Sequence, residues 1–263
     1  MTKSPLLSSL GGLPKAGDAA GVERGIARWL GASATVDDGS FQSFAADFAA
    51  EPRGRALLEA VFGNSPFLSQ CLLNEPLFFR RLVETGFEAA FAEILSALKA
   101  PDFAAAERPR LAEGLRRAKR RAALLVGLAD ISNAWPLERV MSSLSDFAED
   151  ALGAAVDHLL LGAARNGEIR LADEERSHRR SGFAVIGIGK LGARELNYSS
   201  DIDLMVLYDG ETVICEGGDD AQSVFVRLTR ELVRVMEERT AEGYVFRTDL
   251  RLRPDPGATP VAL

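Results

Sequence analysis

The sequence is poor in the side chains that build metal clusters and disulfide frameworks. It has two cysteines, Cys71 and Cys215, and two histidines, His158 and His178, in 263 residues. The cysteines are too few for a disulfide framework or a zinc cluster, and neither histidine has a partner at ligand spacing. A cysteine-based metal site and a catalytic histidine are therefore not indicated, and the low cysteine count fits a reducing cytosol.

Net positive charge and long apolar runs are also lacking. The 31 basic and 38 acidic residues give a net charge of −7, which does not favour a broad nucleic-acid-binding face. No uncharged apolar run is long enough to cross a bilayer, and the first residues lack the apolar segment of a signal peptide. We expect a cytoplasmic protein that binds neither nucleic acid nor membrane.

Helical periodicity dominates most of the chain. Residues 1–16, rich in Ser, Gly and Pro, predict a flexible leader, and residues 17–178 predict an all-helical domain because β-branched residues are sparse and apolar residues recur three and four apart. We interpret the basic run Leu115–Arg121 as a solvated helix face. The predicted helices are 19–31, 41–49, 52–62, 66–74, 76–84, 87–99, 108–132 and 136–165.

The pattern changes in residues 179–263. Phe183–Ile188 predicts a buried strand that runs into a Gly-rich turn, and Ile202–Tyr208 predicts a second strand. An amphipathic helix over 219–240 and a third strand over 243–250 follow. The predicted fold class is α+β, with a helical domain followed by a small α/β sheet.

The second predicted strand carries two acids, Asp201 and Asp203. Side chains alternate along a strand, so both project from one face, about 7 Å apart. Two such carboxylates repel each other unless a cation lies between them, and Mg²⁺ binds one or two carboxylates together with phosphate oxygens. With the glycine-rich turn that precedes them, the pair predicts metal-dependent nucleotidyl transfer.

A third acid and several arginines follow on the last predicted strand. Asp249 would complete the metal site, and Arg247, Arg251 and Arg253 alternate near it as phosphate or carboxylate clamps.

Two other interpretations of these motifs compete. An isolated Asp-x-Asp pair occurs on many surface loops. Gly187-x-Gly189-x-x-Gly192 also matches a dinucleotide-binding fingerprint, but a second strand begins where the pyrophosphate-binding helix should continue. The combination of glycine turn, paired acids and later acid is more specific than any one of these parts.

Gly187–Asp209 resembles the signature of the glutamine synthetase adenylyltransferases, also called glutamate–ammonia ligase adenylyltransferases. Asp249–Pro254 resembles the second signature of that family, and three upstream segments resemble its helical flank: Ser65–Leu68, Leu115–Arg121 and Leu144–Ala148. The resemblance implies a nucleotidyltransferase sheet of the polymerase-β-like type. It also implies a longer, bifunctional enzyme with two nucleotidyltransferase copies, regulated through the PII signalling protein.

This chain is most similar to the N-terminal copy of that family, which removes AMP from a glutamine synthetase tyrosine by phosphorolysis and yields ADP. The other copy attaches AMP from ATP. The resemblance implies Asp201, Asp203 and Asp249 as catalytic acids and metal ligands for Mg²⁺. It implies a nucleotide- and phosphate-binding set that comprises Gly187, Gly189, Lys190, Ser200, Arg251 and Arg253.

The family continues beyond the second signature, so we expect the nucleotidyltransferase domain to be truncated at its C-terminal end. The alternative hypothesis is therefore a catalytically inactive module that binds glutamine synthetase or PII.

Overall fold

The computed structural model describes residues 4–33, 39–172, 181–212, 214–216, 220–252 and 261–262. By backbone contacts the chain divides into two compact units, one of Met1–Ile94 with Arg120–Val140 and the other of Leu95–Lys119 with Met141–Leu263. The predicted boundary at 178 lies outside the described residues, so the division into 17–178 and 179–263 stays a prediction. In the part of the chain that is described, no helix has the length and apolarity that a bilayer span requires.

Helices make up most of the described chain. Their bounds are α1 Pro5–Ser9, α2 Ala19–Ser33, α3 Phe41–Ala50, α4 Pro52–Phe62, α5 Pro66–Asn74, α6 Pro76–Thr85, α7 Phe87–Leu98, α8 Pro101–Ala104, α9 Arg108–Ile131, α10 Leu137–Arg165, α11 Gly189–Gly192 and α12 Ala221–Glu237. The eight predicted helices between residues 19 and 165 are confirmed to within about two residues at each end. The short helix α8 is an addition that the apolar periodicity did not indicate.

Local capping explains where these helices begin. Proline occupies the first turn of α4, α5 and α6, where its missing N–H group removes no helical hydrogen bond. The Ser65 hydroxyl accepts a hydrogen bond from the backbone N–H of Leu68 at 3.2 Å, and the Glu51 carboxylate accepts one from Gly54 at 2.5 Å. These contacts satisfy N–H groups that the first turn of a helix leaves unpaired.

The first unit is built around an aromatic core. The ring of Trp29 lies edge-on to Phe41 and Phe79, with centroids 5.5 Å apart in both pairs. Phe48 meets Phe79 in the same way at 5.2 Å. These four side chains are almost fully buried, so helices α2, α3 and α6 contribute to one packed core.

Residues 4–11 of the predicted flexible leader pack against the first unit. Leu6, Leu7 and Leu10 are buried. The Ser4 hydroxyl donates to the carbonyl of Val83 at 2.7 Å, and the Gly11 N–H donates to Ser132 at 2.7 Å. Burial of three leucines outweighs the loop-forming tendency of the surrounding Ser and Gly residues.

The second unit contains a three-stranded mixed sheet. Its strands are β2 Phe183–Ile188, β3 Ile202–Tyr208 and β5 Thr248–Asp249. Strand β3 lies in the middle, antiparallel to β2 and parallel to β5. A separate two-stranded sheet, absent from the sequence prediction, pairs β1 Ile169–Arg170 with β4 Ile214–Cys215.

Helix α12 contacts β3 and β5 of this sheet. Alternate β3 side chains, Ile202, Leu204 and Val206, are buried, and the ring of Phe225 on α12 stacks between Phe183 and Tyr208 at 5.1 and 5.4 Å. The intervening side chains, including Asp203, are only partly buried. The two predicted strands and the helix are thus confirmed, and the sheet has one core face and one open face.

The third predicted strand is shorter than expected, since only Thr248–Asp249 of residues 243–250 is strand. Gly243 forms a turn with Thr240, and the N–H groups of Val245 and Phe246 both donate to the carbonyl of Met236 at 3.0 Å. Their hydrogen bonds therefore go to the end of α12 and leave little backbone for a ladder.

The sequence suggested that the basic run Leu115–Arg121 forms a solvated helix face, and this interpretation is wrong. In the second unit, the buried Arg116 guanidinium donates to the backbone carbonyl of Glu238 at 3.0 Å, and the Lys119 ammonium lies 3.7 Å from the ring centroid of Phe246. In the first unit, Arg120 and Arg121 both pair with the buried Glu75 at 2.7 Å. Periodicity did not reveal this because long side chains can turn inward to meet a specific partner.

Candidate active site

The central strand β3 brings the predicted acids together on the open face of the sheet. Asp203 is in register with Ile188 of β2 on one side and with Asp249 of β5 on the other. Paired residues of neighbouring strands project from the same face, so the carboxylates of Asp203 and Asp249 share a face. Asp201 precedes Asp203 by two residues and projects the same way. The register thus agrees with a grouping of the acids on one side of the sheet, and their role as a catalytic metal site stays a prediction.

The glycine turn lies directly against one of these acids. Gly189 has φ +57°, and a β-carbon at this position would lie 2.5 Å from Oδ2 of Asp203. Any larger residue would be strained in its backbone and would also collide with the carboxylate. A β-carbon on Gly192 would lie 2.6 Å from the carbonyl oxygen of Gly187. Glycine is required at 189 by the left-handed backbone and at 192 by the close approach of a backbone carbonyl, and the bare backbone of Gly189 lies beside Asp203.

Two arginines neutralise two of the acids. Arg247 pairs with Asp201 through its Nε, and this contact raises the pKa of the guanidinium. Arg251 binds Asp249 through Nε at 3.0 Å and Nη2 at 2.5 Å. The pKa of Asp249 is lowered to about 2, chiefly by this hydrogen bonding. All three acids raise the pKa of Arg251, Asp249 most strongly.

In this arrangement the acids do not form a metal-binding group. Among the described residues, no group of three or more His, Cys, Asp and Glu side chains is close enough to hold a metal ion. The path of the backbone nevertheless places three side-chain carboxylates on one face of the sheet, and carboxylate oxygen is the donor type that Mg²⁺ prefers. The donor set fits such an ion once the side chains of Asp201 and Asp249 leave their guanidinium partners.

A cleft of about 480 Å³ opens beside Asp201 and Asp249, and Asp203 is not among the residues that line it. Asp201, Asp249, Arg247 and Arg251 line one part of it, and Glu237, Arg239, Tyr244, Thr248 and Leu250 line the rest. It is large enough for a small ligand.

Glu237 is a cleft residue that sequence reasoning missed. The carboxylate of this last residue of α12 accepts hydrogen bonds from both the backbone N–H and the hydroxyl of Thr248, each at 2.7 Å. It thereby holds the residue that precedes Asp249. Its position at the end of an amphipathic helix was the only available signal, and that position is ordinary for a solvated glutamate.

The loop between the glycine turn and β3 is fastened to helix α10. The buried N–H of Leu196 donates to the hydroxyl of Ser145 at 3.2 Å. Arg194 pairs with Asp146 and, at 3.3 Å, with Glu149, and the first pairing chiefly raises the pKa of Arg194. Helix α10 therefore sets the path by which the chain enters Asp201.

The remaining predicted site residues are less closely grouped. Gly187 lies at the end of β2, where it packs against Leu191. Lys190 and Ser200 both contact Oδ1 of Asn197, Lys190 at 3.3 Å. Neither of them lines the cleft. Arg253 lies outside the described residues.

Comparison with known proteins bears on this arrangement. The model of the glutamate-ammonia ligase adenylyltransferase family matches residues 56–263, which include the glycine turn and all three acids. The chain belongs to this family. The match confirms the resemblance inferred from the signatures, and it covers most of the helical flank as well as the three-stranded sheet.

Curated relatives agree with the family assignment. A protein of Rhizobium meliloti (strain 1021) is 47% identical over 211 residues, which are 78% of this chain and 21% of the relative. One of Bradyrhizobium diazoefficiens is 37% identical over 243 residues, 88% of this chain and 24% of the relative. Each is named bifunctional glutamine synthetase adenylyltransferase/adenylyl-removing enzyme. The chain thus spans about a fifth to a quarter of the length of these adenylyltransferases.

Proposed function

We propose that the chain carries a Mg²⁺-dependent nucleotidyltransferase site of the polymerase-β-like type, which transfers AMP to or from a tyrosine of glutamine synthetase. The observation that carries this proposal is the register of Asp203 with Asp249 on the open face of the sheet, with Asp201 two residues earlier. Family membership supports the substrate, because the relatives are named for activity on glutamine synthetase.

The roles of the residues follow from their positions. Asp201, Asp203 and Asp249 would hold Mg²⁺, which when bound supplies positive charge to the phosphate oxygens. The glycine turn at Gly189 would let the backbone approach a phosphate closely. Arg251 would bind phosphate oxygens through the fork that now holds Asp249. Gly187, Lys190, Ser200 and Arg253 remain proposed parts of the nucleotide-binding set, on the resemblance alone.

We assign the removal direction because the chain resembles the adenylyl-removing half of the family. An oxygen of inorganic phosphate would attack the phosphorus of tyrosine-bound AMP. The bond from phosphorus to the tyrosine oxygen breaks, the phenolate takes up a proton, and ADP leaves. A cytoplasmic location, regulation through PII and a nucleotidyltransferase domain over 179–263 belong to the same proposal.

The proposed function is tested with adenylylated glutamine synthetase, phosphate and Mg²⁺, by measuring release of ADP. Asp203→Asn should abolish release while the far-ultraviolet circular dichroism stays unchanged. Asp209→Asn is the matched control, since Asp209 is exposed and caps the turn after β3 by accepting from Thr212. Release of ADP by Asp203→Asn at the wild-type rate would refute the assignment.

A second candidate is a non-catalytic module that binds glutamine synthetase or PII. The pairing of Asp201 and Asp249 with arginines favours it, because those contacts occupy carboxylates that a metal site would need. Calorimetry with ADP separates the two candidates. A nucleotidyltransferase site should bind ADP more tightly with Mg²⁺ than without it, and an interaction module should show no such dependence.

A further inference from the structure

Arg247 makes three contacts at the rim of the cleft. Its Nε pairs with Asp201, its Nη2 donates to the backbone carbonyl of Ser199 at 2.7 Å, and its Nη1 donates to the hydroxyl of Tyr244 at 3.4 Å. Its side chain is nevertheless 46% exposed. The guanidinium is therefore oriented by the loop before β3 while part of it still faces the open cleft.

A second guanidinium, that of Arg251, lines the same cleft as Arg247. Arg251 binds both oxygens of Asp249, and Asp201 and Asp203 act on it electrostatically. Three carboxylates and two guanidinium groups thus lie close together on the open face of the sheet. The two cations offset most of the mutual repulsion that would otherwise act among Asp201, Asp203 and Asp249.

The pair of Arg247 with Asp201 is well suited to exchange. An ion pair between exposed side chains contributes only about 0–1 kcal/mol, so a divalent cation that binds Asp201 and its neighbours can displace the guanidinium at low cost. A guanidinium fork fits a phosphate in the same two-point geometry as a carboxylate. Released from Asp201 but still tethered at Ser199, Arg247 would keep free donors directed at the cleft.

We propose that Arg247 is a shared guanidinium, which neutralises Asp201 when no divalent cation is bound and binds a substrate phosphate when one is. This inference rests on the proposed function, because it needs the acids to bind a metal. It assigns to Arg247 a phosphate-binding role and makes metal and phosphate binding mutually supportive, since the cation frees the donor that the phosphate uses.

The test measures binding to the 263-residue chain and does not require turnover. Binding of Mn²⁺ is measured by electron paramagnetic resonance, and binding of inorganic phosphate in the presence of Mn²⁺ by equilibrium dialysis. Arg247→Gln should bind Mn²⁺ about three- to fivefold more tightly, because its competitor for Asp201 is gone. It should bind phosphate about tenfold more weakly, because a charge-assisted fork is lost.

Arg239→Gln is the matched control. Arg239 lines the same cleft, but its guanidinium lies over the ring of Tyr244, 5.1 Å from the centroid. This variant removes the same charge, and Mn²⁺ affinity should change by less than about twofold because exposed charges are screened. Arg247→Lys keeps the charge without the fork and should lie between wild type and Arg247→Gln in phosphate binding.

The outcomes separate the two proposals. If Asp203→Asn loses Mn²⁺ binding but Arg247→Gln binds Mn²⁺ as the wild type does, the shared role of Arg247 is overturned and the metal site stands. An equal gain in Arg239→Gln would overturn it as well, because general charge would explain the effect. If the wild-type chain binds no Mn²⁺, the proposed function and this inference both fail.

Discussion

At the scale of single residues, several positions beside the sheet have an unusual backbone conformation. Gly189 combines a left-handed backbone with a position against the Asp203 carboxylate. Ser199 and Arg194, on the loop that leads to β3, are also in the left-handed region, with φ +56° and +59°. Backbone strain of this kind concentrates at functional sites, where the surrounding contacts hold it.

Replacement of Gly189 tests this constraint. Gly189→Ala should displace the Asp203 carboxylate and weaken Mn²⁺ binding at least about tenfold, with a loss of about 1–3 kcal/mol in the free energy of unfolding. Gly153→Ala is the control, because its new methyl group meets no atom within 4 Å and helix propensity should rise. Normal Mn²⁺ affinity in Gly189→Ala would contradict the close approach.

Two opposing effects act on the charge of the Lys119 ammonium group. The rings of Phe246 and Phe147, with centroids 3.7 and 5.7 Å away, attract the ammonium. Loss of water disfavours the charged form more strongly, and burial lowers the pKa of Lys119 to about 7. The folded chain therefore loses this proton near neutral pH, whereas the unfolded chain keeps it until about pH 10.

This difference makes stability depend on pH. Between about pH 7 and 10 the unfolded state binds more protons, so the free energy of unfolding rises with pH. Lys119→Met should stabilise the chain at pH 6.5, and its advantage over wild type should shrink by about 2–3 kcal/mol at pH 9. Urea unfolding at both pH values measures this, and an advantage that is equal at the two values would argue against a neutralised lysine.

At the scale of elements, long helices fasten the loops of the site. Helix α9 places Arg116 on the carbonyl at the end of α12, and α10 places Ser145 and Asp146 on the loop that leads to Asp201. The three-stranded sheet is small, and these helices hold its connections in place. The helical flank thus contributes to the geometry of the site as well as to the core.

Two buried serines of α10 allow the hydrogen bond to the Leu196 loop to be distinguished from the effect of burying a serine. Ser145→Ala would leave the buried N–H of Leu196 unpaired and should cost about 1–3 kcal/mol of unfolding free energy. Ser143 is equally buried, and its hydroxyl has no hydrogen-bond partner among the described residues. Ser143→Ala should therefore be neutral or stabilising. Equal losses in both variants, measured by urea unfolding, would show that the bond to Leu196 contributes nothing.

At the scale of the whole molecule, the net charge and the contacts of the arginines both disfavour binding of a polyanion. The chain carries a net charge of −7, and its most basic run is engaged with internal partners: Arg116 with Glu238, and Arg120 and Arg121 with Glu75. Cations that are held by carboxylates offer little to an external polyanion.

Nucleic-acid binding provides a direct check. Fluorescence anisotropy with a short labelled DNA duplex should show no binding at physiological salt and at most weak, salt-sensitive binding at low salt. Tight binding at physiological salt would mean that the basic run leaves its internal partners.

Much of the fold could be predicted because its signals are local. Helices α2 to α7, α9 and α10 follow from apolar spacing and from proline and serine at their starts, and β2 and β3 follow from continuous apolar runs. The short strand β5 could not be predicted at its true length. Its neighbours Val245 and Phe246 bond to the end of α12, a contact that depends on tertiary packing.

Sequence by itself determined the family and predicted the acids and the glycine turn, because these signals lie in short segments of defined residue type and spacing. Only the tertiary structure decided that Asp249 lies beside Asp203 and that Arg247 and Arg251 hold two of the acids. It also decided that Glu237 supports Thr248 and that the basic run turns inward. These contacts join residues from separate elements, and long charged side chains choose among partners only after the backbone has brought those partners within reach.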